Sequence, residues 1–287
     1  MRNVIIQTAD SERAGRMKIL IKGAGDLASG IACRLHRCGF LVVMTEKPVP
    51  ITVRRTVAFS RAVYENRTKV EDITGVLCCS IKEVEEALSK DQVAVVVDEE
   101  CGIREKWNPD AVVDAIIAKK NLGTRITDAD IVIAVGPGFT AGKDCHCVVE
   151  TRRGHDLGRC IWNGSAVPNT GVPGIIGGYD KERIIRAVDN GVFHPAVTIG
   201  TVVQLNDVVG YVNNAPVVAQ VGGVVRGLLQ DGVTVFRGMK SGDIDPRGVT
   251  WHCYTISDKA SAIGGGVLEA VLSLRKKQLA QKERIST

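Results

Sequence analysis

Aromatic residues are scarce in this chain, at 4% of 287 positions. Little is left to stack bases, and the lysines and arginines are spread along the sequence, so nucleic acid is not an expected partner. The densest basic run, Arg275-Lys276-Lys277 with Lys282 and Arg284, reads as a solvated helix end. No apolar run approaches the roughly 20 residues that cross a bilayer, so a membrane is not expected either. Met1 to Arg16 holds Arg2, Asp10, Glu12, Arg13 and Arg16 in place of a signal-peptide core. Residues 1–16 read as a disordered extension ahead of the first strand. The nine cysteines include no Cys-x-x-Cys, and their number is odd. Without an export signal, that pattern implies reduced thiols and a cytoplasmic protein rather than a disulfide framework. Cys145-His146-Cys147, with His155 and Cys160 downstream, matches no common zinc spacing, so no metal site is expected.

What is present is apolar and periodic. Hydrophobic residues make up 45% of the chain and charged ones 24%, with a net charge of +5. A substantial core in more than one module is within reach. Lys18-Ile-Leu-Ile-Lys22 is a short strand that runs into Gly23-Ala-Gly25-Asp-Leu-Ala28. A helical pattern then carries Ile31, Leu35 and Cys38 to Gly39, and Leu41-Val-Val-Met-Thr45 ends in Glu46. Strand, glycine turn, helix, strand and acid form the order of a Rossmann unit. Gly23 makes the tight turn, Gly25 lets backbone approach a phosphate, and Ala28 permits close helix–strand contact. Ligand phosphate then rests on the helix start, and Glu46 stands where a ribose hydroxyl is read. Two details depart from a standard NAD site. Asp26 brings a carboxylate close to the phosphate position, and Arg54-Arg55 form a basic pair able to grip phosphate. The ligand is therefore NADP-like, or not a dinucleotide.

Further apolar runs end at Cys79, Asp98, Asp114 and Val135, with a helix-like stretch from Ile81 to Leu88. The alternation implies a mostly parallel sheet whose crevice lies at the carboxyl ends of its strands. Asp114, Lys119 and Asn121 are binding candidates there. Gly136-Pro-Gly-Phe-Thr-Ala-Gly-Lys-Asp144 is a second glycine-rich turn. Read at period two, Asp144, His146, Val148 and Glu150 share one face and Cys145, Cys147 and Val149 the other, core-facing side. With Arg152, Arg153, His155 and Arg159 nearby, this is either an exposed ion-paired hairpin or an anion site. In the second case His146, His155 and Glu150 are the proton-carrying candidates and Arg153 is a charge partner. From Thr198 the pattern changes to short valine-rich strands punctuated by Gly200, Gly210, Gly222, Gly223, Gly227, Gly232 and Gly238. Their rhythm suggests a barrel-sandwich-like module, without a carrier lysine at the Val221–Val224 turn. Asp243 and Asp245 read as turn caps. Gly264-Gly-Gly266 reads as a hinge or as the start of a helix. The organisation expected is a Rossmann-like ligand-binding domain over residues 17–190 and a β-rich module over 191–250. A C-terminal helix over 251–287 packs back on the body.

Taken together these stretches resemble the YqeB family, accessory proteins of selenium-dependent molybdenum hydroxylases. The motifs that carry the likeness run from Lys22-Gly-Ala-Gly-Asp-Leu-Ala-Ser-Gly30 through Thr45-Glu46, Arg54-Arg55, Asp114 to Asn121, Gly136 to Asp144 and Glu150 to His155. They continue in Asn169-Thr-Gly171, Gly242-Asp-Ile-Asp-Pro-Arg247 and Ser257-Asp-Lys259. The glycine unit also looks like the Rossmann domain of XdhC accessory proteins, which handle molybdenum cofactor. The resemblance implies maturation of a xanthine- or purine-dehydrogenase-like client, with a small nucleotide-like or molybdopterin-type anion as ligand. A homo-oligomer is compatible with it. The alternatives left open are an NAD(P)-dependent oxidoreductase and a non-catalytic scaffold that docks the client.

Overall fold

The computed structural model describes residues 15–169, 171 and 174–286. Residues 1–14 of the expected extension lie outside these. Arg16 is described, and its guanidinium reaches the carbonyls of Gly39 and Phe40 and the carboxylate of Asp91.

Strand β1 (Lys18–Lys22) leads into α1 (Asp26–Arg37) and β2 (Leu41–Glu46). A short helix α2 (Ala62–Glu65), the hairpin β3 (Arg67–Val70) and β4 (Ile73–Leu77), then α3 (Ile81–Ser89) and β5 (Val93–Val97) follow. Next come α4 (Ile103–Trp107), β6 (Ala111–Asp114), β7 (Ile131–Val135), β8 (Cys147–Val149) and β9 (Cys160–Ile161). In space the strands form one sheet in the order β3-β4-β5-β2-β1-β6-β7-β8-β9. All neighbours from β4 to β8 are parallel, and the two edge hairpins are antiparallel. Central strands covered on both faces must be apolar throughout, and Ile19 to Ile21, Val42 to Met44 and Ile131 to Ala134 are fully buried. Local signals agree with the elements. Helix α1 has Asp26 in its first turn and Arg34, His36 and Arg37 in its last, the order a helix dipole favours. Helix α3 is capped from both sides, with Ser80 accepting from the Glu83 amide and Glu83 from the Cys79 amide. From β1 the chain runs outward through β2 on one side, then returns from β5 to lay β6 on the other side of β1. A crevice opens at the carboxyl ends of the strands at such a switch point.

The connection from β6 to β7 breaks the helical alternation. Residues 115–130 contain no helix or strand, and they wall the crevice instead.

The second half is a sandwich of two four-stranded antiparallel sheets. Its strands are β10 (Ile184–Arg186), β11 (Gly191–Pro195), β12 (Val202–Val203), β13 (Val208–Val212), β14 (Ala215–Val218), β15 (Gly223–Leu228), β16 (Val233–Val235) and β17 (Lys240–Asp245). The sheets share a core that includes Phe193, Val209, Val212, Val224, Leu228 and Ile244. One boundary and one local assignment differ from the sequence expectation. Strand β10 pairs with β17, so the chain enters this module before residue 190. Asp243 and Asp245 lie on a strand rather than on a turn, and both are buried. They are held by arginine. Asp243 accepts from Arg183 at 2.6 Å and Arg226 at 2.7 Å, and Asp245 takes a bidentate fork from Arg247 at 2.9 and 2.7 Å.

Helix α5 (Asp258–Ser286) lies on α1. Its glycines are neither hinge nor helix start, because the helix begins six residues before Gly264. Gly264 and Gly266 are contact points instead. A Cβ on Gly264 would stand 3.1 Å from the Gly30 carbonyl oxygen, and one on Gly266 would stand 2.0 Å from that of Gly158. Nothing lies within 4 Å of the corresponding position on Gly265.

This contrast predicts opposite outcomes one residue apart. Gly266→Ala should destabilise the protein by about 1–3 kcal/mol, since backbone must retreat from backbone. Gly265→Ala should stabilise it by about 0.5–1 kcal/mol through helix propensity alone. Thermal denaturation of the two variants checks this, and equal melting temperatures would count against the close contact between α5 and the Gly158 backbone.

Candidate functional site

The crevice is a cleft of about 1100 Å³ lined at its floor by Lys22, Gly23, Gly25, Asp26, Leu27 and Ala28. Gly23 takes φ +92°, a conformation glycine reaches readily, and the loop after β6 presses against it: a Cβ there would meet the Ala115 carbonyl at 3.1 Å. Gly25 is the N-cap of α1 in extended conformation, and no side chain caps the helix. The first-turn amides of a helix lack intrahelical acceptors, so an uncapped start on a cleft floor offers hydrogen bonds to an anion.

The carboxylate of Asp26 does not cross the turn. It is gripped by both contacts of one Arg54 nitrogen, at 3.1 and 3.0 Å. The other terminal nitrogen of Arg54 donates to the carbonyls of His252 at 2.9 Å and Thr255 at 3.1 Å. Arg54 is 6% exposed. Arg55 donates to the Leu228 carbonyl and the Gln230 side chain, both at 2.7 Å. The arginine pair expected to grip a ligand is therefore committed elsewhere. It clamps the glycine turn to the second module and to the segment leading into α5.

Glu46 stands at the end of β2 with its carboxylate held in place. One oxygen accepts from the Ala24 amide at 3.1 Å and the other from the Lys47 amide at 3.0 Å. Burial pushes its pKa up, and Glu99 adds to this against the two backbone hydrogen bonds. Lys22 closes the inner wall. Its ammonium donates to Thr124 Oγ1 at 2.6 Å, Thr124 donates to Asp114 at 2.6 Å, and Lys22 lies 3.6 Å from the same carboxylate. Asp114 is thus an internal anchor rather than a free strand-end acid. Asn121 supports the same loop, accepting from the amides of Gly123 and Thr124 and donating to the Thr124 carbonyl. Lys119 is exposed and points toward Asn169, 3.2 Å away.

Sequence reasoning grouped His146, Glu150 and His155, and the fold separates them. Strand β8 runs parallel to β7, which places His146 at the amino end of the sheet, where its Nδ1 accepts from the Val132 amide at 3.0 Å. Glu150 lies at the carboxyl end, buried, with its oxygens taken by the amides of Thr151, Arg152 and Val167. It anchors a loop. His155 is exposed in that loop. Cys145 and Cys147 are both fully buried, as the alternation implied, and Val148 on the supposed polar face is buried too. Arg153 does not line the cleft. It forms a fork on Asp258 at 2.6 and 3.0 Å, at the start of α5. Lys259 is the second residue of α5 and is half-buried. Burial lowers its pKa first and Arg153 next, while Asp26 and Glu150 act in the opposite sense. Arg54 holds both Asp26 and the Thr255 carbonyl, and a Cβ on Gly30 would meet Ala260, so the starts of α1 and α5 lie at the same end of the molecule. Residues that the sequence did not single out as ligands are Lys22, Thr124, Glu99 and Glu100. Glu99 and Glu100 follow Asp98 directly after a buried strand, and that position was the available signal.

No family model matches the chain. It is 48% identical over 264 residues to the uncharacterized protein YqeB of Escherichia coli (strain K12), an alignment covering 92% of this chain and 49% of that protein. Along that stretch the chain belongs to the YqeB family. It spans about half the length of this relative. Among solved structures, an aspartoacylase family protein from Mesorhizobium loti aligns at 10% identity and a TM-score of 0.25, covering 80% of this chain and 85% of that one. A succinylglutamate desuccinylase/aspartoacylase from Rhodobacter sphaeroides aligns at 10% identity and a TM-score of 0.27, with the same coverage. Superpositions this loose carry no argument about the YqeB fold or its chemistry. Among the described residues no helix is long and apolar enough to cross a membrane.

One outcome follows from the clamp and a second from the buried Asp245 pair. Arg54→Ala strands Asp26 and two carbonyls, and should destabilise by about 2–4 kcal/mol, below the range for a fully buried pair because Asp26 is partly exposed. Burial alone would raise the Asp245 carboxyl, but the Arg247 fork, its amide and Arg226 hold it at about 2. A depressed folded pKa means that the stability it contributes is complete above pH about 4 and is lost as pH falls toward 2. Asp245→Asn should therefore flatten the acid limb of a stability-versus-pH curve measured by urea unfolding, and an unchanged limb would refute the assignment.

Proposed function

We propose that this YqeB-family chain is a cytoplasmic accessory protein for maturation of a selenium-dependent molybdenum hydroxylase. It acts by holding an anionic nucleotide-like or pterin-like ligand in the crevice between β1 and β6. One observation carries the reading. The helix that opens on the cleft floor has an uncapped start, and the carboxylate nearest to it is already neutralised by Arg54. Phosphate oxygens placed there meet backbone donors and the positive end of the helix dipole without facing a free negative charge. The cleft volume accepts a ligand of nucleotide or dinucleotide size. The family resemblance supplies the client. Conserving the ligand for delivery, rather than turning it over, suits a cleft whose ionisable inner groups Lys22 and Asp114 are paired with each other through Thr124.

A thermal-shift series with NAD, NADP, ATP, CTP and a molybdopterin-type ligand tests the binding part. A true ligand at a hundredfold excess over its Kd adds about 2.7 kcal/mol of stability. Gly25→Leu keeps an ordinary backbone conformation but fills the approach to the turn, and it should abolish the shift. No response from any ligand, or an undiminished response in the variant, would overturn the cleft assignment. In cells lacking the chain, the client hydroxylase should accumulate without activity. Normal hydroxylase activity there would remove the maturation role.

A further inference from the structure

One ionic cluster lies outside the cleft, where the β sandwich meets the α/β body. Gly227 of β15 pairs with Asp243 of β17, and a Cβ on it would stand 2.9 Å from the Val53 carbonyl oxygen and 3.2 Å from Arg54 Cγ. The sheet face that carries Asp243 is therefore pressed against the Arg54 clamp. The buried Asp243 carboxylate is shared by three cations: Arg183 at 2.6 Å, Arg226 at 2.7 Å and Lys240 at 3.7 Å. Neighbouring carboxylates do not offset the excess, because Asp26 is matched by Arg54, Asp245 by Arg247 and Asp258 by Arg153. Three cations on one carboxylate leave two positive charges over. Lys259 makes no ion pair among the described residues, and the carboxylate of Glu150 only balances it at longer range. Both lysine ammoniums lie within electrostatic reach of Asp26, so they approach one place from different elements, and neither lines the cleft. Burial pushes the Lys240 pKa down, with Arg183 and Arg226 acting in the same sense against Asp243 and Asp26. Yet 45% of its side chain stays accessible. A group desolvated by its surroundings and still reachable stands in a recess. Arg54 gives a second sign, since its side chain is 7% exposed and its Nε–H has no acceptor among the described residues. Unmet charge and an unmet donor at one buried join are both costly until a partner arrives.

We propose that this join is a second anion site, separate from the cleft, which takes a phosphate dianion between Lys240 and Lys259. The dianion is either inorganic phosphate or the phosphate of a small monoester. Charge selects the class. A phosphate monoester carries about 1.5–2 negative charges at neutral pH, which meets the surplus. A carboxylate or a phosphodiester carries one and leaves a cation unmatched. The donors also fit, because ammonium groups hold phosphate as point charges while the guanidinium forks of this cluster are already spent on Asp243 and Asp245.

Isothermal titration of the full chain with inorganic phosphate and with glycerol 3-phosphate, at an ionic strength held constant with sodium chloride, tests the site. Tighter binding of the ester assigns the site to a monoester, and tighter binding of inorganic phosphate assigns it to the free ion. Dimethyl phosphate, with a single charge, should bind at least tenfold more weakly than either. The double variant Lys240→Met/Lys259→Met keeps the apolar stems and should weaken phosphate at least tenfold. Gly25→Leu, which fills the approach to the cleft turn, should leave phosphate affinity within about twofold. Stability supplies a second arm. In chloride alone the double variant should melt no lower than the parent, since it sheds charges that lack partners, and phosphate should raise the melting temperature of the parent only. A double variant that melts lower in chloride overturns the proposal, because the lysines are then structural. Undiminished phosphate binding by that variant, equal binding of dimethyl phosphate, or no saturable phosphate binding by the parent overturns it too. Loss of phosphate binding in Gly25→Leu alone also overturns it, and places the anion on the α1 start with the cleft reading intact.

Discussion

The fork between Arg54 and Asp26 is the contact on which the rest of the molecule turns. A carboxylate at the first residue of α1 would repel any phosphate brought to the turn, and a buried guanidinium without a partner would be costly. Each cancels the other at 3.0–3.1 Å. The second nitrogen of Arg54 then binds the carbonyls of His252 and Thr255, so the same side chain fixes the segment that starts α5. One residue thereby sets the electrostatics of the turn and its join to the segment leading into α5, and the adjacent Arg55 ties the same stretch to the β sandwich.

The two long helices complete this arrangement. They cross where Gly30 meets Ala260 and Gly264 meets Gly30, and Gly266 lets α5 lie against the Gly158 backbone in the β8–β9 turn. Their starts come to the same end of the molecule, each with acid–arginine pairing of its first residue: Asp26 with Arg54, Asp258 with Arg153. Only the start of α1 opens on the large cleft. Glu46 and its neighbours give that cleft a negative wall opposite a positive floor, so a bound molecule must present unlike ends to fit.

Much of this was legible in the residues, for physical reasons. Continuous apolar runs such as Ile131–Val135, bounded by turn residues, fit strands covered on both faces, and Gly23-Ala-Gly25 after such a run marks a turn against a helix. The valine and glycine rhythm after Thr198 marked the sandwich. What misled was partner choice. Arg54 and Arg55 look like ligand groups until the fold shows Asp26 and Leu228 as their acceptors, and those lie 28 and 173 residues away. Alternation put His146 and Glu150 on one face, but it does not count the length of the strand between them, which sends them to opposite ends of the sheet. Asp243 resembled a turn cap because its arginine partners, Arg183 and Arg226, come from elsewhere in the chain, while Asp245 pairs with Arg247 two residues on and yet lies on the strand. Gly264 to Gly266 read as a break because a helix–helix crossing leaves no mark in local sequence.

The central claim is that phosphate rests on the backbone amides of residues 25–28. Amide chemical-shift mapping of the ¹⁵N-labelled chain during titration with ADP-ribose tests it most directly. The account predicts that the largest shifts fall on Gly25, Asp26, Leu27 and Ala28, with smaller ones at Glu46 and around Thr124. Perturbations confined to the loop from Arg152 to Arg159 or to the β sandwich, with the α1 start unmoved, would contradict it.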